Sequence, residues 1–189
     1  GGTLTNFTGS GTSYSATFTP TPNSTAAGTV TVAAGAFTNS VGNANAVSGS
    51  LSPQITVDTQ LPTVSAVGSS TPDGTYRIGS PIALQATLSE TVKAGGAIRA
   101  VLNTGARVTL TAAADGTTVS GTYTVAAGES TSDLSITAFE LITATPLLDV
   151  AGNQLSSLTV PTPTLATLKN IVIDAGIKAT VNATGFSTD

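Results

Sequence analysis

The chain reads as all-β, an array of antiparallel β-sandwich modules in tandem. A strand-like composition, period-two alternation cut by frequent turns, and an internal repeat all point the same way. Of the 189 residues, 40% are hydrophobic and only 8% charged, and Trp, Met and Cys are absent. Thr and Val, both abundant, suit the half-buried pleated surface of a strand better than a helix.

Taken in order, the first strands fall near residues 3–8 and 12–19. In TSYSATFT, Tyr14, Ala16 and Phe18 point one way and Ser13, Ser15 and Thr17 the other, as in a strand with one wet face. Two more are predicted near 28–34 (GTVTVAA, with Val30 and Val32 on one side) and 51–57. PIALQATL aligns Ile82, Leu84, Ala86 and Leu88, and TTVSGTYTV aligns Val119, Tyr123 and Val125. Turn signals such as TPN, PDG, KAGG, NTG, ADG and AAGES separate the runs. Short strands at this turn frequency predict a sandwich.

The repeat sets the expected boundaries. ITVDTQLPTV at 55–64 reappears as IVIDAGIKATV at 171–181, so that Asp58 recurs as Asp174, and VGSSTPD ending at Asp73 resembles TGFSTD ending at Asp189. Residues 1–61 are thus expected to be the C-terminal part of a module and 62–174 a complete one. Residues 175–189 are expected to form a linker and first strand of a following module, or a donor strand. The chain begins GGTLTNF, without initiating Met or signal peptide, and is expected to be a piece of something longer.

Missing residue types exclude chemistry. Without His or Cys there is no ordinary zinc site, no Ser-His or Cys-His nucleophile pair, no thiol redox centre and no disulfide. A net charge of −4 with six scattered basic residues gives no footprint for nucleic acid or anionic lipid. No apolar run approaches the length of about 18 residues needed to span a membrane. A Cys-free chain also suits export in the unfolded state.

Over nearly its whole length the sequence resembles the tandem bacterial immunoglobulin-like (Big) repeats of large extracellular adhesins and surface proteins. The second module carries the likeness in DGTYRIGSPIALQATLSETV (73–92), LNTGARVTLT (102–111), YTVAAGESTSDLSI (123–136), LLDVAGNQLSSLTVP (147–161) and NIVID (170–174). The first segment resembles the closing half of a related repeat through GGTLTNFTGSGTSYSATFTPT, VTVAAGAFTNSVGNANA and ITVDTQLPTV. The resemblance implies immunoglobulin-like sandwiches acting as a non-enzymatic, extracellular spacer at the bacterial cell surface, often stiffened by calcium. Its implied partners are neighbouring modules, other copies of the chain, and a host or biofilm surface.

Calcium takes about six to eight oxygens, mostly carboxylates and carbonyls. Asp58, Asp73, Glu90, Asp149, Asp174 and Asp189 fall where strands end or linkers begin. The expected ligands are Asp149, Asn153, Glu90, Asp174, Asp58 and Asp73; in the family-like arrangement the loop of Asp149, Gly152 and Asn153 approaches the end of the module that holds Glu90 and a linker Asp. Asp149 has an equally simple explanation as the tip of a turn, since Asp and Asn cap their own backbones and Gly takes positive φ. The corresponding loop of the first segment, TNSVGNAN, has Asn39 where the family has an acid, which argues against a site there.

Paired acids, Glu129 with Asp133 or Glu140 with Asp149, raise glycoside hydrolysis, but the chain has no Trp to build a sugar platform. Lys93, Lys169 and Lys178 raise Lys-Asn crosslinks, and Asn6, Asn23 and Asn182 head glycosylation triplets. Solvated lysines and chance triplets in a Thr-rich chain explain both. The expected function is a calcium-stiffened spacer, with short linkers such as DTQLPTV setting reach. Its alternative is a self-assembling subunit of a filament or surface layer, joined when residues 178–189 of one copy complete the half-module of another.

Overall fold

Pro62 opens the second of two units into which the chain divides, the first being Gly1–Leu61. The computed structural model describes residues 1–176. Almost every regular element is a strand, and the fold is an all-β immunoglobulin-like sandwich.

The second unit stacks two sheets. The larger contains β3 (Val64–Gly68), β5 (Pro81–Val92), β6 (Ala97–Leu102), β7 (Arg107–Thr111), β8 (Gly116–Thr124) and β10 (Ile136–Leu141), in the order β10-β6-β7-β8-β5-β3 and antiparallel throughout. The smaller sets β11 (Ile171–Asp174) between β4 (Gly74–Tyr76), which is parallel to it, and β9 (Ser130–Thr131), which is antiparallel. Leu84, Ile98 and Leu110 from the large sheet meet Ile171 and Ile173 from the small one, all at most 2% exposed. Leu134, Leu147, Leu155 and Leu165 close the core from the connections. Each such side chain contributes about 1.5–3 kcal/mol on burial.

β5 shows why sequence alternation becomes one dry face. Ile82, Leu84, Ala86 and Leu88 are buried while their neighbours are partly or fully exposed. The alternation runs on to Val92, so Glu90 keeps the inward parity despite its charge. The ladder with β8 shifts register between Thr87 and Val92, where β5 bulges before pairing again through Val92 and Gly116. At the neighbouring β7–β8 approach, a Cβ on Gly121 would run into the Thr109 carbonyl oxygen, so only glycine fits there.

In the first unit, β1 (Gly2–Ser10) and β2 (Ser13–Pro20) form a two-stranded antiparallel sheet with an irregularity between Thr5 and Thr8. The strands expected near 28–34 and 51–57 do not form ladders. Those segments meet through one bridge, Gly28↔Ile55, and separate bonds from Leu51 N to the Val30 carbonyl and from Ser48 N to the Val32 carbonyl. A strand is defined by its neighbours, and in the second unit the counterpart of residues 30–35 is β10, whose partner is β6. Within the first unit no strand corresponds to β6.

The two units otherwise repeat one another. The bridge Thr38↔Ala44 has its match in Leu148↔Gln154, and the bond from Asn45 N to the Phe37 carbonyl in that from Leu155 N to the Leu147 carbonyl. Pro53 and Pro163 keep the same spacing. The stretch from Pro163 to Ile171 is longer than that from Pro53 to Ile55, and a single helical turn, α1 (Leu165–Leu168), fills it by burying Leu165.

Candidate functional site

The loop 147–155 is a tight hairpin held by Asp149. Asp149 Oδ1 accepts from the backbone N–H of Gly152 at 2.6 Å and of Asn153 at 2.8 Å, and Oδ2 accepts from Asn153 Nδ2 at 2.8 Å. Gly152 sits at φ 99°, in the left-handed region that a side chain disfavours. Asn39 does the same work in the first unit, taking bonds from Val41 N and Asn43 N at 3.1 and 3.0 Å, with Gly42 at φ 87°. The turn therefore needs a short side-chain oxygen and a glycine, and does not need a charge.

The second loop adds something to this turn. Asp149 is 1% exposed and bridges Val92, while Lys93 N donates to the Leu148 carbonyl at 2.9 Å, so the hairpin is fastened to the end of β5. Inward-facing Glu90 lies two residues back along that strand, and a carboxylate oxygen of each acid lies within 4.8 Å of the other. Two like charges at that distance repel by roughly 3 kcal/mol at an effective dielectric constant of about 20. A divalent cation would turn that repulsion into attraction.

The donor set fits a hard cation. Of about four acceptor positions on Asp149, three are used by its loop, and the remaining direction together with Glu90 offers carboxylate oxygen of the kind calcium prefers. Backbone carbonyls and water would have to complete the shell. The arrangement suits a structural ion; there is no thiol or imidazole for a softer metal.

Two of the other residues expected as ligands, Asp73 and Asp174, lie elsewhere. Asp73 accepts from Asn170 N at 3.2 Å and pairs with Lys169 at 3.6 Å, which pins β4 beside β11. Asp174 ends β11 and caps Gly176 N at 3.3 Å, next to Ala175, whose N–H bonds the Glu129 carbonyl. That corner lies by the turn that enters β5, whereas Glu90 and Asp149 lie where β5 ends. Asp58 belongs to the last residues of the first unit, where its Oδ1 accepts from Gln60 N at 3.2 Å. Asn153 serves as a donor to Asp149. Asp189, Lys178 and Asn182 lie outside the described residues.

The acids considered for hydrolysis are held in structural bonds. Glu129 Oε2 accepts from Tyr123 OH and Ala126 N, both at 2.6 Å, and Asp133 Oδ1 accepts from Ile171 N at 3.3 Å. Glu140 ties Arg99 and Arg107 across β10, β6 and β7 at 3.4 and 3.2 Å. Sequence reading passed over Asp115, which caps Ala94 N at 2.8 Å just beyond β5; the Asp-Gly pair at 115–116 was read only as a turn.

No helix among the described residues is long and apolar enough to cross a membrane. Neither a curated protein nor a solved structure matches the chain. Residues 1–55 match the family model of the bacterial Ig-like domain, a typically non-enzymatic module that occurs in bacterial surface proteins.

Proposed function

We propose that the chain is a non-catalytic structural segment of a secreted bacterial surface protein, whose immunoglobulin-like modules act as an extracellular spacer stiffened by calcium. The observation that carries the calcium reading is the convergence of Glu90 and buried Asp149 at the end of β5. An ion there would join the end of β5 to the 147–155 hairpin, adding to the bridge between Val92 and Asp149 and the bond from Lys93 N to the Leu148 carbonyl. With a dissociation constant of about 0.1–1 mM and about 1 mM calcium, the ion adds only about 0.4–1.4 kcal/mol. Its effect is local rigidity, which suits a part that transmits force.

Native mass spectrometry of the full chain, with and without EDTA, tests this. A monomer that carries calcium and loses it to EDTA supports the spacer. Metal-free chain at millimolar calcium counts against it.

The open apolar face of the first unit favours a second reading, assembly between copies through strand complementation. Residues 178–189, the donor expected for it, lie outside the described residues. Size-exclusion chromatography of a chain ending at Gly176 checks this: unchanged assembly rules that donor out.

A further inference from the structure

The first unit exposes residues whose counterparts in the second unit are core. Tyr14 is 57% exposed where Val119 is 0%, and Phe37 is 61% exposed where Leu147 is 1%. Leu4, Phe7, Tyr14, Phe18, Val30 and Ile55 line an open groove of about 530 Å³ in that unit, and the rings of Phe7 and Tyr14 stack at 5.4 Å. The second unit identifies what covers such a face. There β8, the counterpart of β2, pairs along its whole length with β5, and β7, the counterpart of β1, pairs with β6.

We propose that the groove and the free edge of β2 are the docking surface for a strand pair built like β5 and β6. The occupant is the N-terminal half of an immunoglobulin-like module, entering antiparallel to Ser13–Pro20 with alternate apolar side chains turned into the groove. This inference is independent of calcium.

Charge supports it. From Gly1 to Val57 there is no Asp, Glu, Lys or Arg, so neither the edge nor the face carries the charges with which proteins blunt unpaired strands. By contrast the large sheet of the second unit ends in β10, where Glu140 carries a charge bound to two arginines. An uncharged edge selects a partner by backbone hydrogen bonds and apolar fit, and the pattern of β5 from Pro81 to Ser89, also uncharged, has that chemistry.

The alternatives supply the wrong strands. A second copy holds its own β5 and β6 inside its second unit, and its first unit lacks counterparts of the same strands. Residues 178–189 align with the segment around β3, which in the second unit pairs with β5 and not with β8.

Two experiments on the full chain test the proposal. In the first, a fluorescent peptide with the sequence Pro81–Leu102 is titrated in and followed by anisotropy and by amide exchange over Ser13–Pro20. Saturable binding, slower exchange at the β2 amides that face away from β1, and affinity at least about tenfold weaker for Ala16→Glu, which sets a charge in the groove, are expected. In the second, a copy of residues 62–106 is fused ahead of Gly1, so that weak association in trans cannot hide the pairing. Protection at Ser13–Pro20 in the fusion sustains the proposal even if the peptide fails. No protection in either experiment overturns it. So does a concentration-dependent dimer of the unmodified chain that Ala16→Glu abolishes, since that would make a second copy the occupant.

Discussion

Asp149 combines two roles that substitution separates. Asp149→Ala leaves the N–H groups of Gly152 and Asn153 without their acceptor, and a cost of about 1.5–3 kcal/mol is expected in urea unfolding of the second unit. Asp149→Asn keeps an acceptor oxygen, as Asn39 does in the first unit, and should cost less while removing the charge a cation needs. Tyr123 gives a pH test: burial first, and then its bond to Glu129, push its hydroxyl from 10.0 up to about 12. A raised pKa means that the folded state holds the proton more tightly. This contribution to stability is complete below pH 10 and is lost as pH rises toward 12, so Tyr123→Phe should flatten the fall in stability across that window. The turn at Asp149 was legible in sequence, because Asp, Gly and Asn at this spacing have a local cause. The proximity of Glu90 was half legible: Ile82, Leu84, Ala86, Leu88, Glu90 and Val92 share one parity, which marks an acid on an inward face, but only the fold shows that the 147–155 hairpin meets it.

Among the elements, β5 bears the greatest share of the second unit, since it joins β3 to β8 and supplies a row of buried side chains. Leu84→Ala at its centre is expected to cost about 2–5 kcal/mol by thermal or urea unfolding. Gly121→Val should prevent a stable second unit, because the obstacle is the Thr109 backbone and not a side chain that can turn away. The paired strands were legible where alternation was regular, as in 12–19, 81–88 and 117–125. The expected strands at 28–34 and 51–57 read the same way and form no ladder, because alternation records a preference for one dry face whereas a strand also needs a neighbour. α1 was not anticipated: four residues of LATL between Pro163 and Ile171 are too few to display a helical period.

At the scale of the whole chain, one unit has a closed core and the other an open face, although matching sequence and matching bridges run through both. The repeat was visible in the sequence through Asp58 and Asp174, but burial was not, since it depends on which strands arrive to cover the face. The proposed spacer depends on calcium held between Glu90 and Asp149 of the second unit. Isothermal titration of calcium into the full chain, up to about 10 mM, reads that binding. The expected result is about one ion per chain with a dissociation constant of about 0.1–1 mM, lost in Asp149→Asn and in Glu90→Gln. No saturable binding, or binding unchanged by both substitutions, would contradict it.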